Sequence, residues 1–159
     1  MGNRAVITLA KYDTMGKVIE QVNKEEIGVY LHWNGGYDSV SAFLKYCELK
    51  EYRCPKNDCY GWSRLCQVIG NFFGGSSSLG IDKCGRLDCD NYDNGVYLIH
   101  NWKIVGRVYH KGKEQNCYPL LESLLEINKR QPIAEQLEES FIRKYYLVEG
   151  EENNEGTNI

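Results

Sequence analysis

An α+β fold, with a small and mostly antiparallel sheet packed against several helices, is what this sequence predicts. Three observations lead there. Short runs rich in β-branched residues, too brief for helices, stand beside longer stretches with apolar residues at helical spacing. Two short runs, 95–99 and 103–109, are separated by only three residues, as in a hairpin. Two helical stretches follow each other without a strand between them, which breaks the strand–helix alternation of a parallel sheet.

Residues 4–9 read as the first strand. Residues 11–26 are mostly polar, contain Gly16 and read as a loop with at most one helical turn. Residues 28–33 form a second strand, with Val29, Leu31 and Trp33 on one face and Tyr30 and His32 on the other. Asn34-Gly35-Gly36 ends it, since two glycines supply a tight turn. Asp38 reads as the N-cap of a helix whose stripe is Val40, Phe43, Leu44 and Cys47, running to about Glu51 and stopping before Pro55. Asp58 reads as the cap of a second helix with Trp62, Leu65, Cys66, Ile69 and Phe73 inward and Gly74-Gly75 at its end.

Residues 79–83 suggest a further short strand, and His100-Asn101 lies at the hairpin turn. Pro119 suits the start of a helix carrying Leu120, Leu121, Leu124, Leu125 and Ile127. Pro132 breaks that run, and Ile133, Leu137, Phe141 and Tyr145 suggest a last helix. Beyond Val148 too little apolar surface remains to offset the entropy of ordering. The expected organisation is one domain over residues 1–148 and a disordered acidic tail over 149–159.

Bulk properties narrow the function. The 159 residues, 42% apolar and 26% charged, carry a formal charge of −3. Glu149, Glu151, Glu152 and Glu155 lie in the tail with no base beside them, which leaves the remainder at +1. That balance argues against direct nucleic-acid binding and against a membrane-surface protein. The first ten residues lack the layout of a signal peptide, no window is apolar enough for a membrane span, and a cytoplasmic protein is expected. Seven cysteines, an odd number, then point to reduced thiols rather than a disulfide framework.

The sharpest local pattern is Asn34-Gly35-Gly36-Tyr37-Asp38-Ser39, between a strand and a helix. A glycine-rich turn there places free amides and the positive end of the helix dipole toward an anion. The stretch resembles the phosphate-binding loop of the ATP pyrophosphatases, Ser-Gly-Gly-x-Asp-Ser. That resemblance implies that Gly35, Gly36, Asp38 and Ser39 would grip a pyrophosphate, with a small nucleotide as ligand. Asn34 departs from the pattern, as does the expected antiparallel hairpin. The plainer reading is a strand–turn–helix connection.

A second pattern, Asp88-Cys89-Asp90-Asn91-Tyr92-Asp93-Asn94-Gly95, has the wrong spacing for a calcium loop. It reads either as a polar turn shaped by Asx chemistry or as an exposed acidic cluster of Asp88, Asp90 and Asp93 facing a basic partner. Cys54, Cys59, Cys84 and Cys89 form two loosely spaced pairs that could converge on zinc, against scattered thiols as the plain alternative. The sequence contains no HExxH, GxSxG or Walker motif, so no cofactor and no catalytic residue is expected. Twelve tyrosines and three tryptophans are many for this length. Tyr37, Tyr60 and Trp62, near helix starts, are candidate partner-binding residues, since Tyr and Trp anchor interfaces.

The runs LHWNGGYDSVSAFLKYC (31–47), CQVIGNFFGG (66–75) and LDCDNYDNGVYLIHNWKIVGR (87–107) resemble together a family of small uncharacterised proteins of phages, prophages and mobile elements of Gram-positive bacteria. The resemblance implies a setting rather than an activity. Short accessory proteins of phages without catalytic motifs often bind and disable a host component. The expected function is therefore non-enzymatic binding of a host protein, for instance a defence effector, in the bacterial cytoplasm. Binding of a nucleotide or phosphate ligand at residues 34–39 is the alternative.

Overall fold

A computed structural model describes residues 2–75, 78–111 and 119–155, with side chains through Leu147. In chain order the elements are β1 (Ala5–Leu9), β2 (Ile27–Leu31), α1 (Tyr37–Leu49), α2 (Tyr60–Phe72), β3 (Leu79–Lys83), β4 (Val96–His100), β5 (Lys103–Val108), α3 (Leu120–Lys129) and α4 (Glu139–Glu155). The strands form one sheet in the order β3-β2-β1-β4-β5, in which only β1 and β4 run parallel. The α+β class with a mostly antiparallel sheet is therefore what the chain adopts.

Strand alternation divides the core. Ala5, Ile7, Val29, Leu31, Tyr97 and Ile99 face the helices and join the main cluster, with Phe43, Leu44 and Cys47 of α1 and Leu65 and Ile69 of α2. Val6, Val96 and Leu98 face the other way into a smaller cluster closed by loop residues such as Val18, Leu87 and Cys89. β1 is apolar on both faces because it lies mid-sheet with cover on each side.

Several predicted boundaries move, each for a local reason. Gly36, extended at φ −63° and ψ 157°, occupies the N-cap of α1, and Asp38 sits in the first helical turn. There its charge faces the positive end of the helix dipole without a capping hydrogen bond. α1 ends at Leu49, where Glu51 turns left-handed at φ 57°. Cys59 takes the N-cap of α2, while Asp58 just ahead still accepts the Tyr60 amide at 2.7 Å. Gly74 and Gly75 close α2 as expected, both at positive φ. Their amides bond Asn71 O (3.1 Å) and Gly70 O (3.3 Å), a Schellman arrangement.

The hairpin turn is centred on Asn101-Trp102, one residue later than predicted. Both are left-handed (φ 47° and 62°), as a two-residue type I′ turn requires. Trp102 occupies the usual glycine position because its ring is buried and its Nε1 donates to Tyr52 O at 2.7 Å. The loop expected over residues 11–26 contains a β-like reversal. Asp13 accepts the Met15 and Lys17 amides at 2.9 Å each, and Tyr12 bridges Val18.

The last helix starts later than its apolar pattern suggests. Ile133 stands 89% exposed in a short 3-10 turn (Ile133–Glu135), and Ile142 and Tyr145 hold α4 to the core. Pro119 precedes α3 as its N-cap. α4 is helical to Glu155, past the expected boundary at Val148; residues 156–159, Ser76, Ser77 and Cys117 lie outside the described residues.

Candidate functional site

The end of the sheet where β1 begins and β2 finishes gathers most of the predicted site residues. The turn between β2 and α1 lies on it and is filled. The Gly35 amide donates to Asn3 O at 2.8 Å, and its carbonyl accepts the Tyr97 hydroxyl at 2.7 Å. A Cβ on Gly35 would stand 2.5 Å from Asn3 O and 2.8 Å from Ala5 Cβ. Gly36 is buried too, and its carbonyl accepts the Val40 amide at 3.0 Å. Gly35 thus serves close approach of backbone to backbone, and its amide is taken by Asn3 O rather than left free for the pyrophosphate that the resemblance implied.

Two aromatics flank this turn. Trp33 is 45% exposed and meets His32 edge-on, with centroids 5.0 Å apart. Tyr37 is 41% exposed and leans on the Tyr97 ring at 6.2 Å. His32 Nδ1 lies 3.0 Å from the Tyr30 hydroxyl. Sequence reasoning selected Tyr37 but placed Trp33 on the same strand face as Val29 and Leu31, which are buried. The strand ends at Leu31, so alternation no longer governs Trp33.

The acidic loop packs against the same end. Asn91, fully buried, organises it. Its Nδ2 donates to Asp88 O (3.1 Å) and Gly95 O (3.3 Å), and its Oδ1 accepts the amides of Asp93 and Gly95 at 3.1 Å each. This is the Asx-shaped polar turn that the sequence suggests. The acids are not a free negative patch. Asp93 accepts from Arg4 Nε at 2.7 Å and from the Arg4 amide at 3.1 Å, and Asp88 lies 3.5 Å from Arg4 Nη1. Asp90 pairs with Lys111 at 2.8 Å. Burial pushes the Asp93 carboxyl up, but the Arg4 hydrogen bonds outweigh it and hold the group below the usual range. An acidic face waiting for a basic partner is thus corrected to a largely neutralised one.

Asn34 and Ser39 also open onto a cleft of about 410 Å³ between α1, the end of α2 and α3. Its floor is Ala42, Phe43, Phe72 and Ile127. Glu122, Glu126 and Arg130 stand on the α3 side. Arg130 is committed: it pairs with Glu126 at 2.8 Å, donates to Phe72 O at 3.0 Å and covers the Phe72 ring. Two glutamates against one engaged arginine make this cleft a poor cradle for phosphate.

The remaining predicted residues lie elsewhere. Gly61 packs on Cys54 and Pro55, and Cys54 donates to Asn101 Oδ1 at 3.6 Å, so the start of α2 belongs to the hairpin-turn end of the sheet. Tyr60, 62% exposed, is there, remote from Tyr37, while Trp62 is half-buried against the main core. Cys54 belongs to the helix-side core, whereas Cys84 and Cys89 lie in the cluster on the other sheet face. Of the four thiols weighed as an alternative zinc set, Cys54 is therefore separated by the sheet from Cys84 and Cys89, and Cys59 is exposed, which agrees with scattered thiols. Among the described residues no group of three or more His, Cys, Asp or Glu is placed to hold a metal ion. Burial pushes the Cys47 thiol far up and the Cys66 thiol to about 11, the reverse of what a nucleophile needs.

No helix among the described residues is long and apolar enough to cross a membrane. No family model and no solved structure matches the chain. The chain is 27% identical over 119 residues to a protein of Caenorhabditis elegans named tyrosine-protein phosphatase cdc-14. The matched stretch is 73% of this chain and 15% of that protein, so the chain spans a small part of its length.

Proposed function

We propose that this chain is a non-enzymatic accessory protein of a phage or mobile element that binds a host protein in the bacterial cytoplasm, with a defence effector as the target. The observation that carries the proposal is the pair Trp33 and Tyr37, exposed on either side of a turn that is itself buried and hydrogen-bonded. Aromatic anchors on a rigid base lose little entropy on binding, and such residues dominate interface energies. The Arg4, Asp88 and Asp93 network beside them supplies a polar rim of matched charges. The phage setting rests on the resemblance of residues 31–47, 66–75 and 87–107.

The test is phage plating on bacterial strains that each carry one defence system, with and without this chain expressed. Plaque counts recover in at least one strain. The double variant Trp33→Ala, Tyr37→Ala loses the recovery while its thermal unfolding stays close to that of the parent. Failure to restore plating in every strain overturns the target class.

A small-ligand reading is favoured by one observation, the cleft bordered by Asn34 and Ser39. Its Phe43 and Phe72 rings suit a flat organic body better than a free phosphate. Thermal shift against nucleosides and nucleotides checks it: a ligand at 100 times its Kd stabilises the fold by about 2.7 kcal/mol. A flat screen removes this reading.

A further inference from the structure

On the sheet face away from the helices, two thiols meet in one tight turn. Cys84 opens a 3-10 turn (Cys84–Arg86) whose reversal is closed by the Leu87 amide on Cys84 O at 3.1 Å. The chain doubles back, and Cys89 Sγ reaches the same Cys84 carbonyl at 3.3 Å. Cys84 Sγ is fixed in place: a Cβ on Gly28 of β2 would lie 2.9 Å from it. Cys84 is 2% exposed, while Cys89 is half-buried and the more accessible of the pair.

We infer that Cys84 and Cys89 form a dithiol that exchanges with low-molecular-weight disulfides and closes to an intramolecular disulfide. Disulfide geometry requires Cβ atoms about 4 Å apart, and a turn that folds Cys89 Sγ back to 3.3 Å from the Cys84 carbonyl brings the two side chains together. The chemistry is also favoured. The neighbouring Cys89 lowers the Cys84 thiol to about 7, so near neutral pH the pair carries one proton and one negative charge between its two sulfurs.

The exchange runs in two steps. With the shared proton on Cys84, the more accessible Cys89 is the thiolate and attacks one sulfur of the reagent RSSR. A Cys89–SR bond forms, the S–S bond breaks and RS⁻ leaves. Cys84 then gives its proton to that RS⁻, making RSH, and attacks the Cys89 sulfur. The second RS⁻ departs, the protein is oxidised by two electrons and the reagent is reduced to two thiols.

Oxidised glutathione is the probe, applied to the purified full chain and followed by alkylation, trypsin and mass spectrometry. Trypsin cuts after Arg86, between the two cysteines, so the bridge appears as a linked peptide pair. Linked, unalkylated Cys84 and Cys89 that separate after dithiothreitol are expected. Cys84→Ser stops closure and leaves Cys89 as a glutathione adduct. Alkylation of both cysteines after exposure, whatever happens at exposed Cys59, overturns the inference. So does linkage of either cysteine to another thiol.

Discussion

Asn128 sits on the buried face of α3, a position its helical spacing would give to an apolar residue. Its Oδ1 accepts both the Tyr46 hydroxyl (2.7 Å) and the Leu137 amide (2.8 Å), and its Nδ2 donates to Leu137 O at 2.9 Å. One amide thereby ties α1, α3 and the approach to α4 together. Burial pushes the Tyr46 hydroxyl far above its ordinary value, so it remains a donor. Asn128→Ala strands these partners out of water and is expected to cost about 3 kcal/mol, since each unsatisfied buried group costs about 1–3 kcal/mol. Urea unfolding checks it through a lower midpoint with an unchanged slope. Tyr46→Phe, which removes only a donor, costs less. Asn91 plays the same part in the acidic loop, and its role was partly legible, because Asx turns are a known habit of such sequences. Nothing in the sequence marks Asn128 as distinct from any polar residue on a helix surface.

Among the elements, the strands and the first two helices were legible because each carries one clear period. The stripe Val40, Phe43, Leu44 and Cys47 is buried throughout, and Leu65 and Ile69 anchor α2 as their spacing implies. Boundaries shifted where backbone geometry outranked side-chain preference. Gly36 took a cap predicted for Asp38, since an extended residue before the first turn needs no carboxylate to start it. Asn101-Trp102 took the hairpin turn because a buried tryptophan compensates for left-handed backbone. The start of the last helix was misplaced because only part of the apolar series is used: Leu137 and Tyr145 pack against the core and Ile142 joins them, whereas Ile133 and Phe141 stay exposed. Periodicity identifies that a face exists, and contact with the sheet selects which face it is.

For the molecule as a whole, the link between Arg4 and Asp93 joins the start of β1 to the loop before β4, 89 residues later in sequence. The carboxyl of Asp93 titrates below its ordinary value in the folded protein. Its contribution is thus fully present above the unfolded value of about 3.9 and is lost as pH falls through that value and the lower folded one. Asp93→Asn is expected to flatten the acid limb of stability. Thermal midpoints between pH 6 and pH 3 fall by less in the variant than in the parent, and an equal fall in both disproves the assignment. The candidate site is of this same scale. Tyr37, Asp88 and Asp93 were chosen from sequence, but Trp33 and Arg4 were not, and the acids were read as unpaired because their partner lies far away in the chain.

The sequence by itself determined the fold class, the strands, the α1 and α2 stripes and the glycine turns, because those follow from local sterics and from periodic burial within a few residues. Tertiary structure alone decided which glycines are filled by neighbouring backbone, which carboxylates are neutralised and which thiols meet. Those outcomes depend mostly on distances between residues far apart in the chain, such as Gly35 to Asn3, Arg4 to Asp93 and the separation of Cys54 from Cys84 by the sheet. Such distances are set by the order of strands in the sheet, and no local pattern encodes it.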